Sequence, residues 1–222
     1  MSTNCLDAEV IPLNSCPVLK LTFDNFLTEA DKQYFRNYKD FRPDRMNNGP
    51  LISRTYSLLN CDELQELKDR FDKAIEIYTQ EVLRSPSLQF RLVGSWFTKN
   101  TLNTSHRPHY HVNIMLSALT YFDDEVEPND FIQGIIFPQS KFSNIFPDLK
   151  INFSNIPSDE YNIFNYEKYT IKPKHNDVII FPGHMIHSSE SNTTSNRFCI
   201  VANYYIKGKV SVKNNIVTME IP

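Results

Sequence analysis

The feature that most constrains this chain is a change of period at Pro86. Upstream, apolar residues recur at helical spacing. Downstream they alternate, with a period of two. The runs 88–99, 109–122, 131–137, 169–171, 178–181 and 197–206 all read as strands. No helical run separates them. Parallel strands need long, usually helical, crossovers, so the sheet should be largely antiparallel, with helices gathered on one side. The fold class is mainly β in an α+β arrangement. A sandwich or jelly-roll barrel fits better than a doubly wound sheet.

The upstream part supplies the helices. Residues 18–23 form a short alternating strand. Thr28 and Asp31 make a capping-box pattern ahead of Tyr34, Phe35 and Tyr38. Residues 41–54 read as a loop. Asn60 predicts the N-cap of a long helix, with Asp62 and Glu63 in the first turn, where the helix dipole favours acids. Leu64, Leu67, Phe71, Ile75, Ile77 and Tyr78 carry one apolar face as far as Arg84, and that face needs a sheet to cover it. The chain is read as one domain over 1–222. A strand and helical support occupy 1–86, a β core 87–208 with an insertion at about 138–168, and an extension 209–222.

Composition removes several function classes. The five glycines, Gly49, Gly94, Gly134, Gly183 and Gly208, are too far apart for either standard phosphate-cradling loop. With 23 basic against 26 acidic residues there is no electrostatic footprint for wrapping nucleic acid. The cysteines Cys5, Cys16, Cys61 and Cys199 have no short spacing, so neither a zinc knuckle nor a disulfide framework is indicated. The first residues lack a signal-peptide pattern, and no apolar run approaches the roughly 20 residues of a membrane span.

The histidines point to chemistry. His106, His109 and His111 form one group, His184 and His187 another, and His175 stands alone. On a strand, residues i and i+2 share a face, so His109 and His111 would project together. A third ligand from His187, past a Pro182-Gly183 corner, would complete one face of a metal's coordination sphere and leave positions open for substrates. Two ordinary polar residues on a strand are the competing reading. Arg197 follows His187 across a polar loop, 188–196, and shares strand parity with Cys199, Val201 and Asn203. If that face lines the core, the arginine needs a carboxylate, from a ligand or from a distant acid.

The segments GSWFTK, HRPHYHVNIMLSALTYF, YTIKPKHNDVIIFPGHMIHSSE and NRFCIVANYY together resemble the Fe(II)/2-oxoglutarate-dependent dioxygenase superfamily. They are most similar to a group of oxygenases with an H-x-H…H…R motif, common in phages and marine bacteria. The likeness runs from about Ser57 to Gly208. It implies a double-stranded β-helix barrel, cupin-like, with the N-terminal helices on one sheet. It implies Fe(II) on His109, His111 and His187, with Arg197 on the C5 carboxylate of 2-oxoglutarate and O2 as the other cosubstrate. Asn113, Ser117, Tyr121 and Asn203 match pattern positions and are expected to line the cosubstrate pocket. His106, His184 and Trp96 are expected beside the ligands. Where the superfamily commonly has His-x-Asp or His-x-Glu, this chain has His111. The expected activity is hydroxylation of a substrate such as a prolyl or other peptide side chain, in the cytoplasm of a bacterium or of a phage-infected host. Two other readings compete: a three-histidine cupin-like enzyme that does not use 2-oxoglutarate, and a non-catalytic phage interaction protein. Between the strands at Phe137 and Tyr169, the aromatics Phe142, Phe146, Phe153, Tyr161, Phe164 and Tyr166 suggest either a lid over the metal or packing of an insertion.

Overall fold

The computed structural model describes residues 16–44, 49–138, 168–211 and 218–221. The proposed lid aromatics of 138–168 lie outside these residues, as does part of the 209–222 extension.

The elements begin with β1 (Leu19–Thr22), α1 (Glu29–Asn37), β2 (Phe41–Pro43), β3 (Leu51–Ser53) and α2 (Gln65–Glu81). The core strands follow: β4 (Gln89–Asn100), β5 (Leu116–Asp123), β6 (Ile135–Pro138), β7 (Lys168–Ile171), β8 (Asp177–Pro182), β9 (Ser188–Ser189), β10 (Arg197–Ser211) and β11 (Thr218–Ile221). All strand pairings are antiparallel, as the missing crossovers require. The large sheet runs β1-β8-β5-β10-β4-β3-β2, with β11 added to β10, and the small sheet runs β7-β6-β9. This is the jelly-roll sandwich of the double-stranded β-helix.

Strand parity divides the interior in two. On β10, Phe198, Ile200, Ala202 and Tyr204 face α1 and α2, where they join Phe35, Phe71, Tyr78, Phe97, Phe122 and Val178 in one buried cluster. Phe122 and Phe198 stack at 4.5 Å between ring centroids. The alternate residues Cys199 and Val201 join Leu119, Tyr121, Ile179 and Phe181, and pack against Ile135 and Phe137 of the small sheet. Each fully buried Leu or Phe in such a layer contributes about 1.5–3 kcal/mol.

Helix α1 starts where the capping box predicts. Thr28 Oγ1 accepts from the Asp31 backbone N–H, and Asp31 accepts from the Thr28 backbone. The buried Asp31 carboxylate also takes Arg70, tying α1 to α2. Three sequence expectations need correction here. Asn60 does not cap the long helix: two short 3-10 turns, Leu58–Asn60 and Asp62–Leu64, precede it, and Gln65 begins α2. Burial of Leu58, Leu59 and Leu64 sets that path, with Ser95 Oγ accepting from the Leu59 N–H. The same helix ends at Glu81, and Arg84 lies beyond it in a left-handed conformation (φ 51°). The 41–54 loop contains β2 and β3, three residues each, too short for alternation to register.

The most consequential correction concerns 109–122. The strand begins only at Leu116. Ahead of it the chain turns, with Asn113 left-handed at φ 60°. His109 and His111 therefore sit on a loop, held by backbone bonds to the segment after β8. His109 and His187 exchange N–H···O bonds of 2.9 and 2.8 Å, and the His111 N–H donates to Gly183 O. Gly183 allows this approach: a Cβ there would lie 2.6 Å from Ile114 O. Asn176 takes the left-handed turn before β8 (φ 66°), a conformation that asparagine tolerates better than most residues. Its side chain accepts from the Leu27 N–H.

Candidate metal and oxo-acid site

The backbone clamp brings three imidazoles together. His109, His111 and His187 each offer a ring nitrogen, and these atoms lie within 4.8 Å of one another. Ring centroids are 4.3 Å apart for His109 and His187, 5.0 Å for His111 and His187, and 5.5 Å for His109 and His111.

The same nitrogen is occupied on every ring. Nδ1 of His109 donates to Arg107 O at 2.8 Å, and Nδ1 of His187 to Met185 O at 2.9 Å. Nδ1 of His111 lies 2.7 Å from Ser117 Oγ and 3.0 Å from Asn203 Oδ1. With Nδ1 tied, Nε2 is left for a metal, and such a tether fixes both tautomer and ring angle. Burial pushes His111 down to about 4 and His187 down to about 3, with the neighbouring His109 adding to both. Three imidazoles converging on one point suit a divalent cation. The donor set fits iron, and it contains no carboxylate.

Arg197 stands at the far end of the same cleft. It is fully buried. Its Nη1 donates to Gln133 O at 2.7 Å, whereas Nε and Nη2 have no partner. No carboxylate among the described residues lies within ion-pair distance. Asp123, opposite Arg197 in register on β5, accepts instead from Thr194 and from the Glu125 N–H. Glu190 accepts from the Gly134 N–H. The guanidinium sits over the Tyr121 ring at 5.9 Å. Burial lowers its pKa from the usual arginine range. An arginine so placed is costly until an anion arrives.

The cleft is lined by Trp96, the three histidines, His106, Leu119, Tyr121, Ile135, Arg197 and Val201, among others. Trp96 packs edge-on against His111 at 5.4 Å. His106 lies 5.6 Å from His109, and burial pushes it down to about 3. The structure separates the other sequence candidates. Tyr121 lines the cleft beside Arg197. Ser117 and Asn203 share its face but lie under His111: Ser117 donates to Asn203 at 2.7 Å, and both hold that ring. Asn113 is exposed on the turn and takes no part in the cleft, because the left-handed break ends the parity that would have aimed it inward. His184 is also exposed, 3.7 Å from Cys16 Sγ. His175 contacts Val126 O, away from the site. Thr98 and Asn100 of β4 line the cleft and had no role in the sequence reading.

Residues 94–203 match the family model described as "Putative 2OG-Fe(II) oxygenase". This segment is a 2OG-Fe(II) oxygenase domain. The enzymes of that family use Fe(II), 2-oxoglutarate and O2, and the histidine cluster and the unpaired arginine both fall within the matched span. No curated protein sequence matches the chain. Solved structures share the oxygenase's fold at low identity. A prolyl-4-hydroxylase from Pseudomonas putida is 12% identical with a TM-score of 0.51, over 86% of this chain and 94% of its own. HygX from Streptomyces hygroscopicus, solved with nickel and 2-oxoglutarate, is 12% identical with a TM-score of 0.54, over 84% and 82%. A prolyl hydroxylase from Trichoplax adhaerens, in complex with a hypoxia-inducible-factor peptide fragment, is 12% identical with a TM-score of 0.53, over 87% and 85%. Among the described residues, no helix is long and apolar enough to cross a membrane.

Proposed function

We propose that this oxygenase hydroxylates a protein or peptide side chain, with prolyl the leading candidate. In this reading His109, His111 and His187 hold Fe(II) through Nε2, and Arg197 anchors the far carboxylate of 2-oxoglutarate. The observation that carries it is the buried arginine with two unpartnered nitrogens, in one cleft with three imidazoles tied at Nδ1. When bound, iron with 2-oxoglutarate and O2 supplies oxidative decarboxylation of the oxo acid coupled to hydroxylation of a C–H bond.

The chain's own residues supply geometry and dryness. Arg107 O, Met185 O and the Ser117–Asn203 pair fix the three rings. Trp96 closes one side of His111. Leu119, Ile135 and Val201 line the cleft with apolar surface. The peptide assignment draws on the exposed apolar residues next to the ligands in the chain, Tyr110, Val112 and Ile186, and on Tyr56, which packs against Trp96. It draws also on the prolyl hydroxylases that share the fold and on the absence of a basic surplus for nucleic acid. We place the reaction in a reducing cytoplasm, where Cys16, Cys61 and Cys199 stay free thiols.

Anaerobic titration with Fe(II) and then 2-oxoglutarate tests the cosubstrate. A visible charge-transfer band should develop as the oxo acid chelates. Folded, iron-loaded protein that gives no band excludes 2-oxoglutarate. Arg197→Ala should abolish the band at ordinary 2-oxoglutarate concentrations.

A further inference from the structure

We propose that Asn100, together with Thr98, completes the carboxylate cradle around Arg197 and thereby selects a dicarboxylic oxo acid. This rests on the 2-oxoglutarate reading above and assigns to β4 a role that neither the motif nor the fold comparison gives it. In the β4–β10 ladder Asn100 stands opposite Arg197, and Thr98 opposite Cys199. Directly opposed residues share a face, with Cβ atoms about 4.5–5.5 Å apart. Both line the cleft. Asn100 is 1% exposed and Thr98 2%.

Neither finds a hydrogen-bond partner. Thr98 Oγ1, Asn100 Nδ2 and Asn100 Oδ1 are buried and unsatisfied, as are Arg197 Nε and Nη2. Among the described residues the other buried orphan side-chain atoms are Gln133 Oε1, beside Arg197, and Arg70 Nε, on α2. Ser95 Oγ, on the opposite face of β4, accepts from Leu59, and Asn192 donates to the Asn100 carbonyl. The unmet demand is therefore concentrated on one patch of the cleft wall. Orphan polar groups are retained where a ligand satisfies them.

The donor count matches a carboxylate. An ionised carboxylate has about four lone-pair sites. Arg197 Nε and Nη2 form the side-on pair of the guanidinium fork and serve two of them. Gln133 O holds Nη1, so the fork cannot swing away. The Thr98 hydroxyl and the Asn100 amide N–H serve the other two. Asn100 Oδ1 is repelled by an anion, which orients the amide with Nδ2 toward it. A monocarboxylic oxo acid would leave all four donors dry and unpaired, and so be rejected.

Mn(II)-loaded protein, which binds without turnover, provides the test. Calorimetry and thermal shift would be run with 2-oxoglutarate and with oxalate, a metal chelator that has no far carboxylate. Thr98→Val and Asn100→Leu should each weaken 2-oxoglutarate about tenfold or more, and Asn100→Asp should weaken it most, by charge repulsion. Oxalate affinity should not change. The melting temperature of ligand-free Thr98→Val and Asn100→Leu should hold or rise, because an orphan group has gone. Variants that bind 2-oxoglutarate like wild type overturn the assignment. So do variants that lose both ligands equally along with melting temperature, which marks a structural role. Thr98→Val, a shape-conserving change, carries the test alone if Asn100→Leu does not fold. Manganese-loaded wild type that binds oxalate but not 2-oxoglutarate overturns the cosubstrate reading itself, a result distinct from failure of the variants only.

Discussion

The two faces of the large sheet are built from the same strands and do opposite things. On β10, Phe198, Ile200, Ala202 and Tyr204 lie under the helices in a close-packed apolar layer. One residue away, Arg197 has two unpartnered nitrogens and Asn203 is turned to a histidine. The helix face lowers the free energy of the fold. On the cleft face the apolar gain from Leu119, Ile179 and Phe181 is partly offset by donors and a cation kept out of water without partners. A strand's two-residue repeat lets both demands be met on one backbone. Stability and function should therefore be separable by substitutions at adjacent positions.

The largest effect expected is at the proposed metal ligands. His187→Ala should remove tight iron binding and lower turnover by about 10³-fold or more, while far-ultraviolet circular dichroism stays native. Unfolding on that change would show that the histidines belong to the structural layer. Next comes Phe198→Ala, one residue from Arg197 in sequence. It should lose about 3–5 kcal/mol in urea unfolding, with iron stoichiometry kept in the protein that remains folded. Asn203→Leu removes an acceptor from His111 Nδ1, and metal affinity by competitive chelation should fall about 10- to 100-fold. A smaller change of opposite sign is expected for Arg197→Met. Ligand-free protein should gain about 1 kcal/mol or more in urea, because an unpaired buried cation has gone, and should no longer respond to 2-oxoglutarate. A net loss there would mean that Arg197 itself carries stability.

The smallest effect is a pH slope. Burial holds His106 and His187 near about 3 and His111 near about 4, against about 6.5 for exposed imidazole. Between those limits the unfolded chain binds more protons than the folded one. Metal-free protein should keep this stability above about pH 6.5 and lose it as pH falls toward 4. Urea midpoints across that range would show it, and His106→Asn should flatten the slope.

Much of this division was legible in the sequence. Alternation in 197–206 places Arg197 and Phe198 on opposite faces, because a strand's parity depends on nothing outside it. The paired histidine groups were legible through spacing. What failed was parity carried across a break. Nothing local announces that the strand begins at Leu116, since Asn113 adopts its left-handed turn to let 111–114 pack on Gly183, a tertiary contact. Asn113 is thereby turned out to solvent, whereas Ser117 and Tyr121, inside the strand, face inward. Thr98 and Asn100 were visible as polar residues two apart after Trp96. Only burial without partners distinguishes them from ordinary polar residues, and burial is set by the neighbouring strands. The Asn60 cap failed for a related reason: side-chain burial of Leu58, Leu59 and Leu64 outweighed a local hydrogen bond worth about 1 kcal/mol.

The reciprocal backbone bonds between His109 and His187 have a consequence for synthesis of the chain. As the polypeptide leaves the ribosome, His109 and His111 emerge well before their partner. Two imidazoles on an unclamped loop form a poor, exchangeable chelate. The proposed third ligand arrives only after β8, which pairs between β1 and β5 in the large sheet. Tight metal capture thus waits for the sheet to close. On the proposed ligand set, iron binding would report that this part of the fold has formed, and a nascent or misfolded chain would have little means of holding a redox-active ion.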